Sequence, residues 1–233
     1  MSHLQERPGA ELADKIMPLN GMRGMIASKM LESVTTTAQL THHAECDATS
    51  LLSLKGRLAA SGTKISVEDL LVDAVVTTLG RHPGLNGLLQ GNELHLKRDI
   101  NLAVAVALDG DLLVAPAIMN AGAMSLVDRA KARRDVVTRA KSNALTVKEM
   151  TAGTFTISNI GLSRVRFFTP ILNVPQVAIL GIGETSMRPW IVDGRLEARS
   201  VIGLSLTFDH RAVNGSPAAD FLTDLCRTIE AMC

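Results

Sequence analysis

The sequence predicts an α/β fold, a mixed β-sheet flanked by helices, and three observations predict it. The 233 residues are 46% hydrophobic, enough for a sizeable core in an ordinary globular protein. Period-two runs such as VIGLSLTF (201–208) interleave throughout with runs whose apolar residues recur at helical spacing. From Ile16 onward no repeat, low-complexity tract or second linker divides the chain. The polar residues 1–15, with Pro8-Gly9, read instead as an N-terminal arm or linker remnant. One domain is expected over 16–233.

Taken in order, GMRGMIASKMLESV (21–34) predicts a helix with Met22, Ile26, Met30 and Val34 along one face. LTHHAECDAT (40–49) alternates and predicts a strand. Ser66, with Asp69 three residues on, opens a second helix close to a capping-box pattern, and that helix ends before Pro83. INLAVAVAL (100–108) and LLVAPAI (112–118) predict two strands joined at an Asp109-Gly110-Asp111 turn. Ser125 to Lys141 reads as a long charged helix. GTFTISNIG (153–161) and VPQVAILGIGET (174–185) are further strands, and WIVDGRLEAR (190–199) is a hairpin turning at Asp193-Gly194. VIGLSLTF gives the last strand. Ser216 and Pro217 then start a final helix: a capping hydroxyl, followed by a proline where no amide hydrogen bond is needed. Ala218, Phe221, Leu222, Leu225 and Ile229 recur along it at helical spacing.

Composition narrows the partners. Aromatic residues make up 3% with no tyrosine, too few for a base-stacking platform. The net charge of +1 lacks the basic footprint of a DNA-binding domain, so nucleic acid is not the expected partner. No apolar run approaches the roughly 20 residues that span a bilayer. The opening MSHLQERPGAELADK carries no hydrophobic signal core. Three cysteines, Cys46, Cys226 and Cys233, show neither even pairing nor metal spacing. A reduced, cytoplasmic protein without a membrane partner is expected.

The stretch SLTFDHRAVNGSPAADFL (205–222) holds the main chemical candidate, His210, placed where a strand gives way to a helix. Functional side chains favour loops carried by rigid elements. Asp209 and Arg211 can tie down the turn, Gly215 permits a tight backbone, and Asn214 can bond locally or point its amide at a substrate. Other constellations are weaker. His42, His43, Glu45 and Cys46 have a metal-like composition, but on a strand His42 and Cys46 face one way and His43 and Glu45 the other. Lys131, Arg133, Arg134, Arg139 and Lys141 could grip phosphates, yet Asp128 and Asp135 among them favour a solvated helix face. The glycines at 181 and 183 lack a phosphate-loop signature and suit close packing in the sheet. Neither Cys226 nor Cys233 has an activating partner evident in the sequence. Composition and spacing end there, with an α/β protein and a candidate histidine.

Several blocks in order carry a resemblance. DHRAVNG resembles the DHRxxDG signature of the acyltransferase core subunits of 2-oxo acid dehydrogenase complexes, whose fold family includes chloramphenicol acetyltransferase. GTFTISNIG through FFTPILNVPQVAILGIG is similar to that family's GGTFTISNLG, TPIINPPQ and AILG blocks. PLNGMRGMIASKM is similar to its LxGMRxxIAxxM pattern, and KISVEDLLVDAV and HPGLN match in order. The resemblance runs from about Ile16 to the C-terminus and implies that 16–233 is an acyltransferase catalytic domain with a chloramphenicol acetyltransferase-like fold.

What the resemblance implies is specific. His210 matches the general base that acts on a thiol, and Ser158 matches the hydroxyl that stabilises the tetrahedral oxyanion. Asn214 stands where many members have aspartate, although asparagine also occurs there. An amide neither takes a proton nor neutralises an imidazolium, so its role would be hydrogen bonding and positioning. Met119 replaces a basic residue common in the family. The implied reaction moves an acyl group, acetyl favoured, between dihydrolipoyl and coenzyme A thiols, both as substrates and with no metal. Succinyl or branched-chain specificity, acetyl transfer in acetoin cleavage, or a mainly structural scaffold are the alternatives. Implied partners are further copies of the chain, as a trimer or a larger cubic or icosahedral core, a lipoyl-bearing domain, and the decarboxylase and dihydrolipoamide dehydrogenase components. Typical members carry lipoyl and subunit-binding domains ahead of the catalytic one; about fifteen residues precede it here.

Overall fold

The structure, a computed structural model, describes residues 16–110 and 112–233. The expected arm and Asp111 lie outside the described residues. Helix α1 (Gly21–Thr36) forms as predicted, but its apolar face finds little among the described residues to cover it. Met22 and Val34 are exposed, Ile26 and Met30 half-buried, and Ser33 is the buried residue, its hydroxyl donating to the Leu172 carbonyl at 2.7 Å. Strand β1 (Gln39–Asp47) follows, then α2 (Thr49–Ala60). Helix α3 (Val67–Arg81) starts on a full capping box: the Ser66 hydroxyl accepts from the Asp69 amide, and the Asp69 carboxylate accepts from the Ser66 amide at 2.8 Å. It stops ahead of Pro83, as expected.

A small hairpin, β2 (Gly87–Gln90) and β3 (Glu93–Leu96), leads to the first correction. The runs 100–108 and 112–118 each break in two, giving β4 (Leu102–Val104), β5 (Val106–Leu108), β6 (Leu112–Val114) and β7 (Ala117–Ile118). The Val104 amide donates to the Pro116 carbonyl at 3.0 Å and the Ala105 amide to the Ile157 carbonyl at 2.9 Å. Pro116 has no N–H to return. The ladder is interrupted there, β4 and β7 stay in the main sheet, and β5 and β6 pair apart from it.

Helix α4 (Leu126–Lys141) is the expected charged helix, but its arginines are not simply solvated. Arg133 donates to Asp69 at 2.6 Å and Glu68 at 2.5 Å, Arg129 pairs with Asp73, and Arg139 holds Glu149 of the short α5 (Val147–Thr151). Buried Asp69 explains the direction: a carboxylate withdrawn from water needs charged donors.

Strand β8 (Phe155–Asn159) precedes two strands of 15 residues each, β9 (Ala178–Val192) and β10 (Arg195–Asp209). The expected hairpin and the expected strands at 174–185 and 201–208 are parts of this one long ribbon. It turns at Asp193-Gly194, both with positive φ, 49° and 77°. Pro189 is tolerated because β8 pairs with β9 only over Ile179–Ile182, leaving the outer edge beyond it unpaired. The last helix, α6 (Gly215–Glu230), starts earlier than predicted, with Asn214 rather than Ser216 at the N-cap position. Pro217 then falls in the first turn, where its missing N–H has no intrahelical partner to lose.

The six-stranded sheet runs β1-β10-β9-β8-β4-β7, antiparallel across β1, β10 and β9, parallel across β9, β8 and β4, and antiparallel again at β7. Its strands alternate faces, with one register shift where Ile202 and Leu204 meet β9. Ile157, Leu180, Leu204, Leu206 and Phe208 join Leu70, Leu79, Phe221 and Leu225 of α3 and α6 in one core, with Phe155 and Phe221 rings 5.9 Å apart. The opposite face carries Thr156, Ser158, Gly181, Gly183, Gly203, Ser205 and Thr207 and is crossed by residues 166–168. No helix among the described residues is long and apolar enough to cross a membrane.

Candidate active site

The turn after β10 is held by one buried carboxylate. Asp209, 2% exposed, accepts from the Arg211 guanidinium at 2.6 to 3.1 Å and from the amides of Arg211 (3.1 Å) and Ala38 (3.3 Å). Burial pushes its carboxyl up, but these donors outweigh burial and hold it below the ordinary carboxylate range. The His210 amide donates to the Ala38 carbonyl at 2.8 Å. Its backbone is thereby clamped to the start of β1, while its exposed ring lies against Phe208 at 5.9 Å, on the α6 side of the sheet. Asn214 is exposed, and its side chain makes no capping hydrogen bond to α6. Among the described residues that amide has no hydrogen-bond partner.

Ser158 lies elsewhere. The register aligns it with Gly181 on β9, Ser205 on β10 and His43 on β1. That row projects from the face opposite the helical core. From Ser158 to Ser205 is two strand spacings, about 10 Å, and from Ser205 to His210 five residues of rise, about 17 Å, so the two backbones stand roughly 20 Å apart. Catalytic groups acting on one carbon need near-contact distances of about 3–3.5 Å. Within one chain, His210 and Ser158 are therefore not brought together.

Ser158 borders an apolar cavity of about 370 Å³ between β8, α1, α5 and the crossing segment, lined in part by Ile26, Met30, Met150, Phe168 and Ile171. The glycines explain how that wall is set. A Cβ at Gly183 or Gly203 would collide with the Arg166 carbonyl oxygen, and one at Gly181 would come 2.7 Å from the Phe168 ring. These three glycines form the bed in which residues 166–168 cross the sheet, so the reading of close packing at 181 and 183 holds. Three polar residues of the cavity were missed in the sequence: Lys29, Thr156 and Asn173. Thr156 donates to buried Gln176 at 2.6 Å, and Asn173 reaches Thr156 at 3.5 Å. Lys29 also lines a broader cleft of about 990 Å³ whose wall includes Asp209 and Arg211.

The remaining candidates resolve structurally. His42 and Cys46 face the helical side, His42 meeting Phe208 edge-on at 5.0 Å. His43 and Glu45 face the other way, bonded to Ser205 at 2.8 Å and paired with Arg166. No three His, Cys, Asp or Glu side chains gather as metal ligands among the described residues. Cys226 and burial push the Cys46 thiol far above the usual thiol range, which leaves it inert.

The fold itself defines a class. The structure superposes on chloramphenicol acetyltransferase with a TM-score of 0.54 at 15% identity, covering 88% of this chain and 94% of that one. The family model for the 2-oxoacid dehydrogenases acyltransferase (catalytic domain) matches residues 11–233, and the chain belongs to that family. It is 36% identical over 223 residues to the dihydrolipoyllysine-residue acetyltransferase component of the acetoin cleaving system of Bacillus subtilis (strain 168), covering 94% of this chain and 56% of the relative. It is 32% identical to a dihydrolipoyllysine-residue succinyltransferase component of the 2-oxoglutarate dehydrogenase complex from Azotobacter vinelandii, covering 93% and 56%. A solved dihydrolipoamide acetyltransferase from Azotobacter vinelandii matches with a TM-score of 0.86 at 29% identity over 97% of each chain. That structure comes from crystallographic and enzymatic investigations of the catalytic roles of a serine, a histidine and an asparagine. The chain spans about half the length of the curated relatives it matches.

Proposed function

We propose that residues 16–233 form a catalytic domain that transfers an acyl group, acetyl favoured, between dihydrolipoyl and coenzyme A thiols, in the cytoplasm, at sites shared between chains. The observation that carries this reading is the separation of His210 and Ser158 onto opposite faces of the sheet. Two residues that match one family's base and oxyanion donor, yet stand roughly 20 Å apart in one chain, can serve one reaction only if neighbouring chains supply them. The exposed apolar side chains of α1, among them Met25, Leu31 and Val34, give such a neighbour something to bury. The serine, histidine and asparagine investigated in the Azotobacter enzyme have the same mutual spacing as Ser158, His210 and Asn214.

His210 takes the proton from the attacking thiol. An ordinary thiol titrates near 8.5 and an ordinary imidazole near 6.5, a gap worth about 2.7 kcal/mol, which a positioned base can supply. The thiolate adds to the thioester carbonyl, a new C–S bond forms, and negative charge grows on the oxygen. Ser158 donates to that oxygen, where its hydrogen bond gains most in the transition state. Collapse breaks the other C–S bond, and the departing thiolate recovers the proton from His210. Asn214, unpaired at the helix start, orients a neighbour by hydrogen bonding and carries no proton. No step needs a metal or an acyl-enzyme. By the family resemblance, the partners are further copies in a trimer or a larger core, a lipoyl-bearing domain, and the decarboxylase and dihydrolipoamide dehydrogenase components.

Acetyl-CoA with free dihydrolipoamide tests the reading directly by release of coenzyme A. Transfer is expected, and His210→Ala should reduce it by about a hundredfold or more without unfolding the protein. Absence of transfer in a folded, assembled protein would favour the scaffold alternative.

A further inference from the structure

We propose that Asn173 is a second oxyanion donor of the acyl-transfer site, aimed beside Ser158 by a hydrogen-bond chain from buried Gln176. This rests on the acyl-transfer reading and adds one group to its machinery. Thr156 and Ser158 lie two residues apart on β8, so they share a face, and both line the cavity together with Asn173. Thr156, 2% exposed, spends its hydroxyl hydrogen on Gln176 Oε1 at 2.6 Å. Its oxygen then has only lone pairs left for Asn173. At 3.5 Å, Asn173 must therefore turn its NH2 group to Thr156 rather than its carbonyl. One N–H of that group is committed, and only over a long contact. The other has no hydrogen-bond partner among the described residues.

The chain is rigid at its root. Gln176 is 5% exposed, and Gly153 makes room for it, since a Cβ there would come 2.7 Å from Gln176 Nε2. The segment that carries Asn173 is tied to three further elements. The Ser33 hydroxyl of α1 donates to the Leu172 carbonyl at 2.7 Å, and the Leu172 amide donates to Gln39 of β1 at 3.3 Å. The Leu89 amide of β2 donates to the Pro175 carbonyl at 2.8 Å. A donor held this way needs no reorganisation when charge develops in front of it. Two residues of strand put Thr156 about 7 Å from Ser158, a gap spanned by one oxygen bonded at about 3 Å to a donor on each side. A thioester oxygen is a weak acceptor and an oxyanion a strong one, so both bonds gain most in the transition state. The apolar walls strengthen them further. Asn173 carries no proton and bonds to neither carbon nor sulfur; the same C–S bond forms and the same C–S bond breaks.

The test separates kcat from KM on the assembled protein, with acetyl-CoA and dihydrolipoamide as substrates. Asn173→Leu keeps the bulk of the side chain and removes the donor, and Asn173→Asp keeps its shape but offers an acceptor instead. Each should lower kcat and kcat/KM together by about tenfold or more, with KM held within about threefold. Thr156→Val removes the aiming hydroxyl and should give a smaller loss of kcat, again at unchanged KM. If neither Asn173 variant assembles, Thr156→Val carries the test alone. Wild-type kcat in the assembled variants, or a loss confined to KM, overturns the proposal and leaves the acyl-transfer reading standing. Absence of transfer by wild type overturns that reading and this proposal with it.

Discussion

His210 owes its position to its neighbours. Asp209 is buried and saturated with donors, Arg211 closes the turn on it, and Ala38 receives the His210 amide. The ring is left exposed on a rigid backbone, the arrangement a proton carrier needs. Asn214 completes the turn with an amide that α6 does not use. Because a neutral group already serves there, Asn214→Asp, which restores the commoner family residue, should fold normally and retain transfer within about tenfold. Steady-state kinetics with acetyl-CoA checks this, and complete inactivation of a folded variant would mean the site is built around the amide. His210 was visible in the sequence as a histidine between an acid and a base at a strand end. Ser158 was not, since a serine on an alternating strand is ordinary, and only the TISN block singled it out. Lys29 escaped because helical periodicity counts apolar residues, and a lysine beside Ile26 and Met30 reads as a boundary.

At the scale of elements, the site depends on parts far apart in sequence. Met150 reaches the Ser158 cavity from α5, and α5 is held by its own capping box and by the Arg139–Glu149 pair, with contacts at 2.5 and 2.8 Å. Arg139, then the Thr146 amide, hold the Glu149 carboxyl down from 4.5 to about 2, burial acting weakly the other way. A depressed carboxylate stabilises the fold fully above its unfolded value, and that stability is lost as pH falls through the folded value. Glu149→Gln should therefore cost about 1 kcal/mol at neutral pH. Its deficit in thermal melting should shrink as pH is lowered from 4.5 towards about 2. A deficit independent of pH would assign the effect to packing instead. Helices α1, α3, α4 and α6 and most strands were legible, because period and caps are local signals, whereas α2, α5 and the β2–β3 hairpin were not read from the sequence. The break in the 100–108 and 112–118 strands was not: it is set by Pro116 meeting β4 and by Ala105 turning to Ile157, both tertiary events. The ribbon of β9 and β10 was read in pieces for a similar reason. Pro189 argues against a continuous strand until one sees that its edge is unpaired.

At the scale of the whole molecule, the proposal makes each chain hold half of two sites. One face of the sheet presents His210 near α6, the other presents Ser158 in its cavity, and α1 carries apolar side chains left exposed by the described residues. In the proposed assembly, symmetric head-to-tail contacts that close into a ring would bring the first face of each copy to the second face of the next, one site at each interface. No local pattern in the sequence encodes that pairing; the family resemblance implies it, and the separation of the two residues in one chain supports it. The most direct measurement mixes inactive His210→Ala chains with inactive Ser158→Ala chains under conditions that exchange subunits. If each site draws His210 and Ser158 from different chains, some interfaces in the mixture unite two intact residues, and acyl transfer should reappear although neither parent has much. If both residues came from one chain, every site would keep one defect. Mixed assemblies that form but recover no activity would contradict the shared-site account, and a protein that is monomeric in solution would remove its premise.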